Sequence, residues 1–172
     1  MICRSKESGF TVIELMVTLA IAAVLLGYAL PSFNNFISQR TMASRINEFT
    51  LAIAYARSEA VTIRGIVSIQ AVDASDGGNE WGPGYCVVVG NPGDCTGTVL
   101  RRFSSLNNLT LDAIGAGFDN QGTLSFNARG LLTLGAGGSL QLCSTDEDIN
   151  PGRTAAVNII GRVSTNELVC TS

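Results

Sequence analysis

Residues 10–30 read FTVIELMVTLAIAAVLLGYAL, an apolar run of 21 residues whose one charged side chain is Glu14. About 20 apolar residues, at 1.5 Å of helix each, cross a hydrocarbon layer roughly 30 Å thick. The polar residues before the run, MICRSKESG, include Arg4 and Lys6. Because basic residues favour the cytoplasmic side of a membrane, the sequence predicts a transmembrane helix over 10–30 with residues 1–9 in the cytoplasm.

A cleaved secretory signal peptide is the alternative interpretation of this amino terminus. Such signals have an apolar core of about 7–15 residues and end at a small-x-small cleavage site. The run over 10–30 is longer and has no such site, which favours a segment that stays with the protein. A charged side chain in lipid costs about 2.5–3.5 kcal/mol, and the run contains no cation. We therefore expect the partner of Glu14 to come from elsewhere, most simply from another copy of the chain.

The composition excludes several classes of enzyme. The chain of 172 residues contains no histidine, which removes His-dependent serine and cysteine catalysis and every His-ligated metal site. The net charge is −3, from 11 Lys+Arg and 14 Asp+Glu. This balance is unfavourable for general nucleic-acid binding, because phosphate contacts need clustered Lys and Arg. No acid-base pair with a nucleophile stands out, so we expect no enzymatic activity, no catalytic residue, no cofactor and no metal site.

Helical periodicity continues beyond Pro31, a residue expected to kink or break the helix. We predict a helix from Phe10 to near Arg64, with an amphipathic second half over 31–64. Since the apolar stripe spans three heptads and strands follow, we interpret it as the face that packs on the chain's own domain, not as a partner-binding coiled coil. The stripe recurs at alternating spacings of four and three residues and consists of Met42, Ile46, Phe49, Ile53, Ala56, Ala60 and Ile63.

After residue 64 the apolar residues alternate with polar ones, as in β-strands. We expect an antiparallel sheet or a pair of sheets over residues 65–172, packed on the second half of the helix in an α+β fold. The Gly-rich turns are not phosphate loops, because no Gly-Lys-Ser/Thr sequence follows them. The candidate strands are Ile66–Val72, Tyr85–Gly90, Val99–Phe103, Leu109–Asp112, Thr123–Phe126, Leu140–Cys143, Thr154–Ile160 and Glu167–Cys170.

The cysteines favour an oxidising compartment. Of the five, Cys3 lies in the first nine residues, and Cys86, Cys95, Cys143 and Cys170 follow the apolar segment. An even number beyond a membrane segment favours two disulfides in the periplasm. Of the three pairings, we favour Cys86–Cys95, which closes a local loop, and Cys143–Cys170, which ties the last strand to the sheet. A zinc site of four thiolates is the alternative, but the cysteines lack the usual ligand spacing.

The residues around Glu14 resemble the class III signal of type IV pilins and type II secretion pseudopilins. They read Gly9-Phe10-Thr11-Val12-Ile13-Glu14-Leu15. The resemblance implies that prepilin peptidase cuts between Gly9 and Phe10 and methylates the Phe10 nitrogen. It also implies that Glu14 pairs with the amino terminus of a neighbouring subunit during assembly, that the apolar segment becomes the core helix of a filament, and that Pro31 bends this helix.

Four later fragments resemble the GspH/FimT group of minor pilins and pseudopilins: AIAYARSEAVT at 52–62, WGPGYCVVV at 81–89, FNARG at 126–130 and GRV at 161–163. The resemblance implies a pilin-like fold and a minor type IV pilin, FimU/FimT-like, that primes pilus assembly or lies near the pilus tip. The implied partners are prepilin peptidase, the inner-membrane assembly platform, inner-membrane lipid, and major and other minor pilins. The implied location is a single pass of the inner membrane with a periplasmic domain, followed by the filament at the cell surface.

Two other functions stay open. An H-type minor pseudopilin of type II secretion shares the leader, helix and fold, but many type IV pilins carry a C-terminal disulfide, which favours the pilus. Some FimT-like minor pilins bind DNA through basic residues near the C-terminus. Arg162 matches that family, whereas Ser164 stands where a second Arg is expected. The candidate DNA-binding patch consists of Arg101, Arg102, Arg153 and Arg162.

Overall fold

The computed structural model describes residues 10–75, 77–115, 118–145 and 151–170. The predicted leader, residues 1–9 with the cleavage-site residue Gly9, lies outside the described residues. The chain divides between Ile37 and Ser38 into two units, and all strands belong to the second. One helix, α1, spans Val12–Ile63. The strands are β1 Val67–Ala71, β2 Tyr85–Val89, β3 Val99–Phe103, β4 Leu109–Ile114, β5 Thr123–Phe126, β6 Gly138–Ser144, β7 Pro151–Val157 and β8 Val163–Val169.

Helix α1 has the predicted extent. Its backbone is helical through Pro31, so there is no break at this residue, and a bend stays a prediction. The helix ends in a Schellman motif, in which the Gly65 N–H donates to the Ala60 carbonyl at 3.1 Å and Arg64 has a φ of 53°. Six members of the predicted stripe are buried, but Ile63 is 44% exposed. The prediction was wrong there because Ile63 is the last helical residue, where the packed face ends.

The strands form two antiparallel four-stranded sheets, sheet A in the order β3-β2-β1-β5 and sheet B in the order β4-β6-β7-β8. Six strands lie within two residues of their predicted bounds. By contrast, β7 and β8 begin three and four residues before the predicted Thr154 and Glu167. The predicted β7 is shifted because alternation assigned the apolar pair Ile159 and Ile160 to it, and the start of β8 was missed because residues 164–166 are polar and exposed. Ile159 and Ile160 both lie in the turn between β7 and β8, where they are 45% and 48% exposed.

The core of the second unit joins α1 to both sheets. The ring of Phe49 lies edge-on to Trp81 and Tyr85, with centroid distances of 5.4 and 5.0 Å. Tyr85 also stacks on Phe103 at 4.6 Å. Aromatic pairs of this geometry contribute about 0.5–1.5 kcal/mol beyond the area that they bury. Phe49 is therefore the side chain through which α1 contacts the aromatic part of the core.

Both favoured disulfides, Cys86–Cys95 and Cys143–Cys170, are present. The first joins β2 to the following loop, whose Cys95 carbonyl accepts a hydrogen bond from the Arg102 guanidinium at 2.7 Å. The second joins β6 to the residue after β8, across β7. It lies so close to Gly152 of β7 that a Cβ atom there would stand 3.2 Å from Cys143 Sγ. The glycine thus leaves room for the disulfide.

Tyr85 supports a prediction about pH. Its hydroxyl group is buried without a hydrogen-bond partner among the described residues. Burial, and secondarily the charge of Glu48, raises the pKa of Tyr85 above its ordinary value of 10.0. The unfolded chain therefore ionises first, so this group leaves the free energy of unfolding constant below about pH 10 and lowers it as the pH rises further.

We expect Tyr85→Phe to raise the free energy of unfolding at neutral pH by up to about 1 kcal/mol, because it removes an unsatisfied buried hydroxyl. The variant should also lose stability less steeply between about pH 10 and pH 11. Urea unfolding of the full chain in detergent at neutral and alkaline pH measures both effects, with Tyr55→Phe as the control at a half-buried tyrosine. A loss of stability at neutral pH would show that the hydroxyl makes a favourable contact.

Candidate functional site

The amino-terminal end of α1 holds Glu14 in place through its own chain. The backbone N–H and the hydroxyl of Thr11 each donate to Glu14 Oε2 at 2.9 Å, and the Glu14 N–H donates to Thr11 Oγ1 at 3.3 Å. This reciprocal pattern is a capping box, which satisfies donors that the start of a helix leaves unpaired. The prediction of a partner from elsewhere overlooks Thr11, although the spacing Thr-x-x-Glu is a known signal of helix starts.

The first unit presents an apolar surface. Every side chain from Phe10 to Gly27 is exposed, including Phe10 at 86% and Leu25 at 64%. Further along the same helix, Phe33 is 61% exposed. Continuous exposed apolar surface marks sites that bind protein or lipid. Within the described residues, no helical stretch combines the length and the mean hydropathy that a membrane-spanning segment requires.

Arg57, in the helical fragment 52–62, lies against two of the other family-like fragments, 126–130 and 161–163. A Cβ atom on Gly130 would lie 3.0 Å from Arg57 Nε, and one on Gly161 would lie 3.1 Å from Arg57 Cδ. Both glycines have positive φ values, 70° and 71°. The arginine side chain therefore lies across two turns at points where only a glycine leaves enough room. No pattern within the three fragments predicts that they meet.

The two turns under Arg57 are built alike. In the first, Asn127 Oδ1 accepts a hydrogen bond from the Leu131 N–H, four residues on, at 3.2 Å. In the second, Asn158 Oδ1 accepts one from the Arg162 N–H at 2.8 Å. Asparagine side chains that bond to the backbone a few residues on commonly close such turns. These contacts fix the position of both glycines against the helix.

We expect Gly161→Ala to lower the free energy of unfolding by about 2–5 kcal/mol. The left-handed backbone costs a non-glycine residue about 1–2 kcal/mol, and the new methyl group would lie 2.9 Å from Phe126 Cε1, which adds an overpacking cost of about 1–3 kcal/mol. Gly135→Ala is the matched control, because its φ of 72° is the same but nothing lies within 4 Å. Urea unfolding measures both variants. Equal losses would mean that the contact with Arg57 and Phe126 is unimportant.

The four arginines of the predicted DNA-binding patch lie on different sheets. Arg101 and Arg102 are on β3 of sheet A, Arg153 is on β7 of sheet B, and Arg162 precedes β8. Arg102 donates to a backbone carbonyl, Arg101 lies 4.9 Å from the ring centroid of Phe103, and Arg153 forms an ion pair at 3.3 Å. DNA binding by these residues stays a prediction, and no contact among the described residues favours it.

Residues 45–161 match the family model of the type II transport protein GspH, and residues 4–30 match the prokaryotic N-terminal methylation motif. The chain belongs to the GspH family. Within it, the chain is similar to the type IV minor pilin FimU of Pseudomonas aeruginosa. The FimU crystal structure superposes with a TM-score of 0.61 at 26% identity, covering 76% of this chain and 92% of that chain. The predicted pilin-like α+β fold and the assignment to minor pilins and pseudopilins are thus confirmed.

This GspH-family chain is also similar to a minor pseudopilin and to a major fimbrial protein. The minor pseudopilin EpsH from the Type 2 Secretion System of Vibrio cholerae shares its fold, with a TM-score of 0.50 at 11% identity over 74% of this chain and 96% of that chain. The type IV major fimbrial protein FimA of Dichelobacter nodosus is 36% identical over 44 residues, which are 26% of this chain and 28% of that protein. The match to this curated relative therefore spans less than a third of its length.

Proposed function

We propose that this protein is a minor type IV pilin, a non-enzymatic structural subunit that primes pilus assembly or is incorporated near the pilus tip. The observation that carries the proposal is the likeness to the minor pilin FimU over 92% of that chain, joined to a methylation motif at residues 4–30. The fold has the parts that such a subunit needs. These are an exposed apolar helix for packing and a disulfide-bonded domain for the filament surface.

Maturation begins in the inner membrane, with residues 1–9 in the cytoplasm and the strand-rich domain in the periplasm. Prepilin peptidase cuts between Gly9 and Phe10 and methylates the new amino terminus. The apolar helix then leaves the membrane through the assembly platform and packs among the helices of major and other minor pilins. Glu14 pairs with the amino terminus of a neighbouring subunit, which offsets the cost of an unpaired charge in an apolar environment.

The H-type pseudopilin of type II secretion is the competing host machine. The likeness to EpsH is at 11% identity and supports a common fold alone, whereas FimU is the more similar protein in both sequence and structure. The pilus is for this reason the preferred host.

An immunoblot of sheared surface filaments and of membranes from the native cells, with intact-mass analysis, tests the proposal. We expect the protein in the sheared fraction, shortened by residues 1–9 and carrying one added methyl group. Processed protein confined to the inner membrane would favour a secretion pseudopilin. Unprocessed protein in every fraction would contradict the proposal as a whole.

A further inference from the structure

Sheet edges present unpaired N–H and C=O groups that can bind another strand, and proteins usually protect them. The β4 edge of sheet B is covered by residues 79–81. The Trp81 N–H donates to the Leu111 carbonyl at 3.1 Å. Asn79 Oδ1 and Glu80 Oε2 accept from the backbone N–H groups of Leu111 and Ala113, at 3.0 and 3.2 Å. Two side chains and one backbone group thus take the place of a neighbouring strand.

Both edges of sheet A are protected as well. On the β5 side, Phe126 forms a β-bridge with Leu132, so the following turn folds back on the edge. On the other side, β3 carries Arg101 and Arg102 and pairs with β2 through a register shift. Charged residues and bulges are common ways of preventing edge pairing.

One charged residue, Glu167, lies on the β8 edge, but no described segment covers this edge and no register shift interrupts it. Its register with β7 is regular from Val163 to Val169. The Asn158 N–H donates to the Arg162 carbonyl, which sets the alternation of the ladder. Hydrogen-bonded and non-hydrogen-bonded pairs alternate in antiparallel strands, so the backbone groups of Val163, Thr165, Glu167 and Val169 point away from β7. No described residue outside the strand hydrogen-bonds to them.

The face of sheet B that packs on the core, its inner face, is more exposed at β8 than at the other strands. One row across the sheet consists of Ala113, Leu140, Ala155 and Thr165, which are paired residue by residue and therefore share a face. The first three are fully buried, whereas Thr165 is exposed. Val169, on the same face, is 72% exposed. The cover over β8 is therefore partial, since Val163 on the same face still packs against the core, whereas Thr165 and Val169 are exposed.

A groove lies beside the carboxyl-terminal end of β8. Its volume is about 480 Å³, and its lining comes from α1 on one side and from the ends of β7 and β8 on the other. Gln39 and Met42 line the helix side, and Leu168 and Val169 are among the residues opposite. A side chain from a segment lying along β8 could enter the groove. When a strand adds to a sheet edge, main-chain hydrogen bonds give affinity and side-chain pockets give specificity. The β8 edge supplies the first and the groove supplies the second.

We propose that β8 binds an extended strand from a neighbouring pilin-type subunit, which adds to sheet B and places an apolar side chain in the groove. This inference rests on the proposed function, because the occupant is another subunit of the same filament. Two observations support a protein occupant of this kind. The one charge on β8, Glu167, is paired with Arg153 at 3.3 Å, so the two charged residues that line the groove neutralise each other. Along the sequence, the exposed apolar side chains of α1 continue to Ile37, two residues before Gln39 of the groove.

Site-specific photocross-linking in native cells tests the proposal. A benzophenone amino acid replaces Asn166 of the full chain, on the exposed outer face of β8, where it leaves the groove and the outward backbone groups intact. The same chain also carries either Thr165→Pro or Thr165→Ala. Proline removes the outward N–H and is tolerated at edge strands, whereas alanine keeps the N–H and serves as the matched control.

We expect an adduct whose cross-linked peptide belongs to a different pilin-type subunit. Its yield should fall about tenfold or more with Thr165→Pro and stay near the starting level with Thr165→Ala. If the proline variant fails to fold, Val169→Arg blocks the groove at an exposed side chain and should reduce the adduct in the same way. The absence of an adduct, an adduct only with a second copy of this chain, or a yield that neither blocking variant changes would each overturn strand addition.

The intact mass and the filament content of the parent chain separate this proposal from the proposed function. Processed protein in sheared filaments without the adduct would leave the minor-pilin function standing and reject the β8 site. Parent protein that is never processed or never found in filaments would contradict the function itself.

Discussion

A Glu14→Ala chain is expected to be cleaved and methylated normally but to reach sheared filaments at about one tenth of the wild-type level or less. An unpaired charge in lipid costs about 2.5–3.5 kcal/mol, and the carboxylate of Glu14 would neutralise the amino terminus of a neighbouring subunit. Without it, that amine stays unpaired in the apolar core. Immunoblots of sheared filaments and intact-mass analysis of the membrane fraction measure incorporation and processing separately.

The capping box provides the control for this experiment. Glu14 also accepts two hydrogen bonds from Thr11, so alanine removes a helix cap together with the charge. Glutamine can occupy the same position of a capping box but cannot pair as an anion. Glu14→Gln should therefore fail to assemble like Glu14→Ala, whereas Thr11→Ala, which costs about 0.5–2 kcal/mol of helix stability, should be incorporated. Recovery of assembly in Glu14→Gln would show that the cap, not the charge, is what assembly requires.

Local signals explain why the elements of this fold could be predicted from the sequence. Spacings of four and three residues placed Met42 and Phe49 on one buried face of α1, and alternation placed six strands within two residues of their bounds. The favoured disulfides were correct because Cys86 and Cys95 are close in sequence, and because Cys143 in β6 and Cys170 after β8 are separated only by β7 in the sheet.

The parts that sequence reasoning missed depend on contacts between distant residues. Ile159 and Ile160 have the apolar character of strand residues, yet a turn closed by Asn158 holds them at the surface. The contact of Arg57 with Gly130 and Gly161 joins residues from three separate fragments. The coverage of a sheet edge depends on the order in which the strands pair. The hydrophobic periodicity of the sequence does not specify that order.

Phe49→Ala is expected to lower the free energy of unfolding by about 3–5 kcal/mol, the usual cost of truncating a fully buried phenylalanine. Phe49 is fully buried and contacts Trp81 and Tyr85 at ring-centroid distances of 5.4 and 5.0 Å, so the truncation removes both aromatic contacts and leaves a cavity between helix and sheet. The loss is a large fraction of the roughly 5–15 kcal/mol that holds a domain together. Urea unfolding of the full chain in detergent, followed by the emission of Trp81, measures the effect, since this is the one tryptophan in the sequence.

Leu51→Ala is the control for Phe49→Ala. It changes a side chain of the same helix without removing a buried contact. Leu51 lies two residues from Phe49 on the same helix but is 66% exposed, so its truncation should change the free energy of unfolding by no more than about 0.5 kcal/mol. Alanine favours the helix at both positions, so a difference between the two variants reports the buried contact alone. If Phe49→Ala unfolded like Leu51→Ala, the second half of α1 would not be held on the sheets by its aromatic contacts, and the stability of the domain would have to come from the sheets and disulfides themselves.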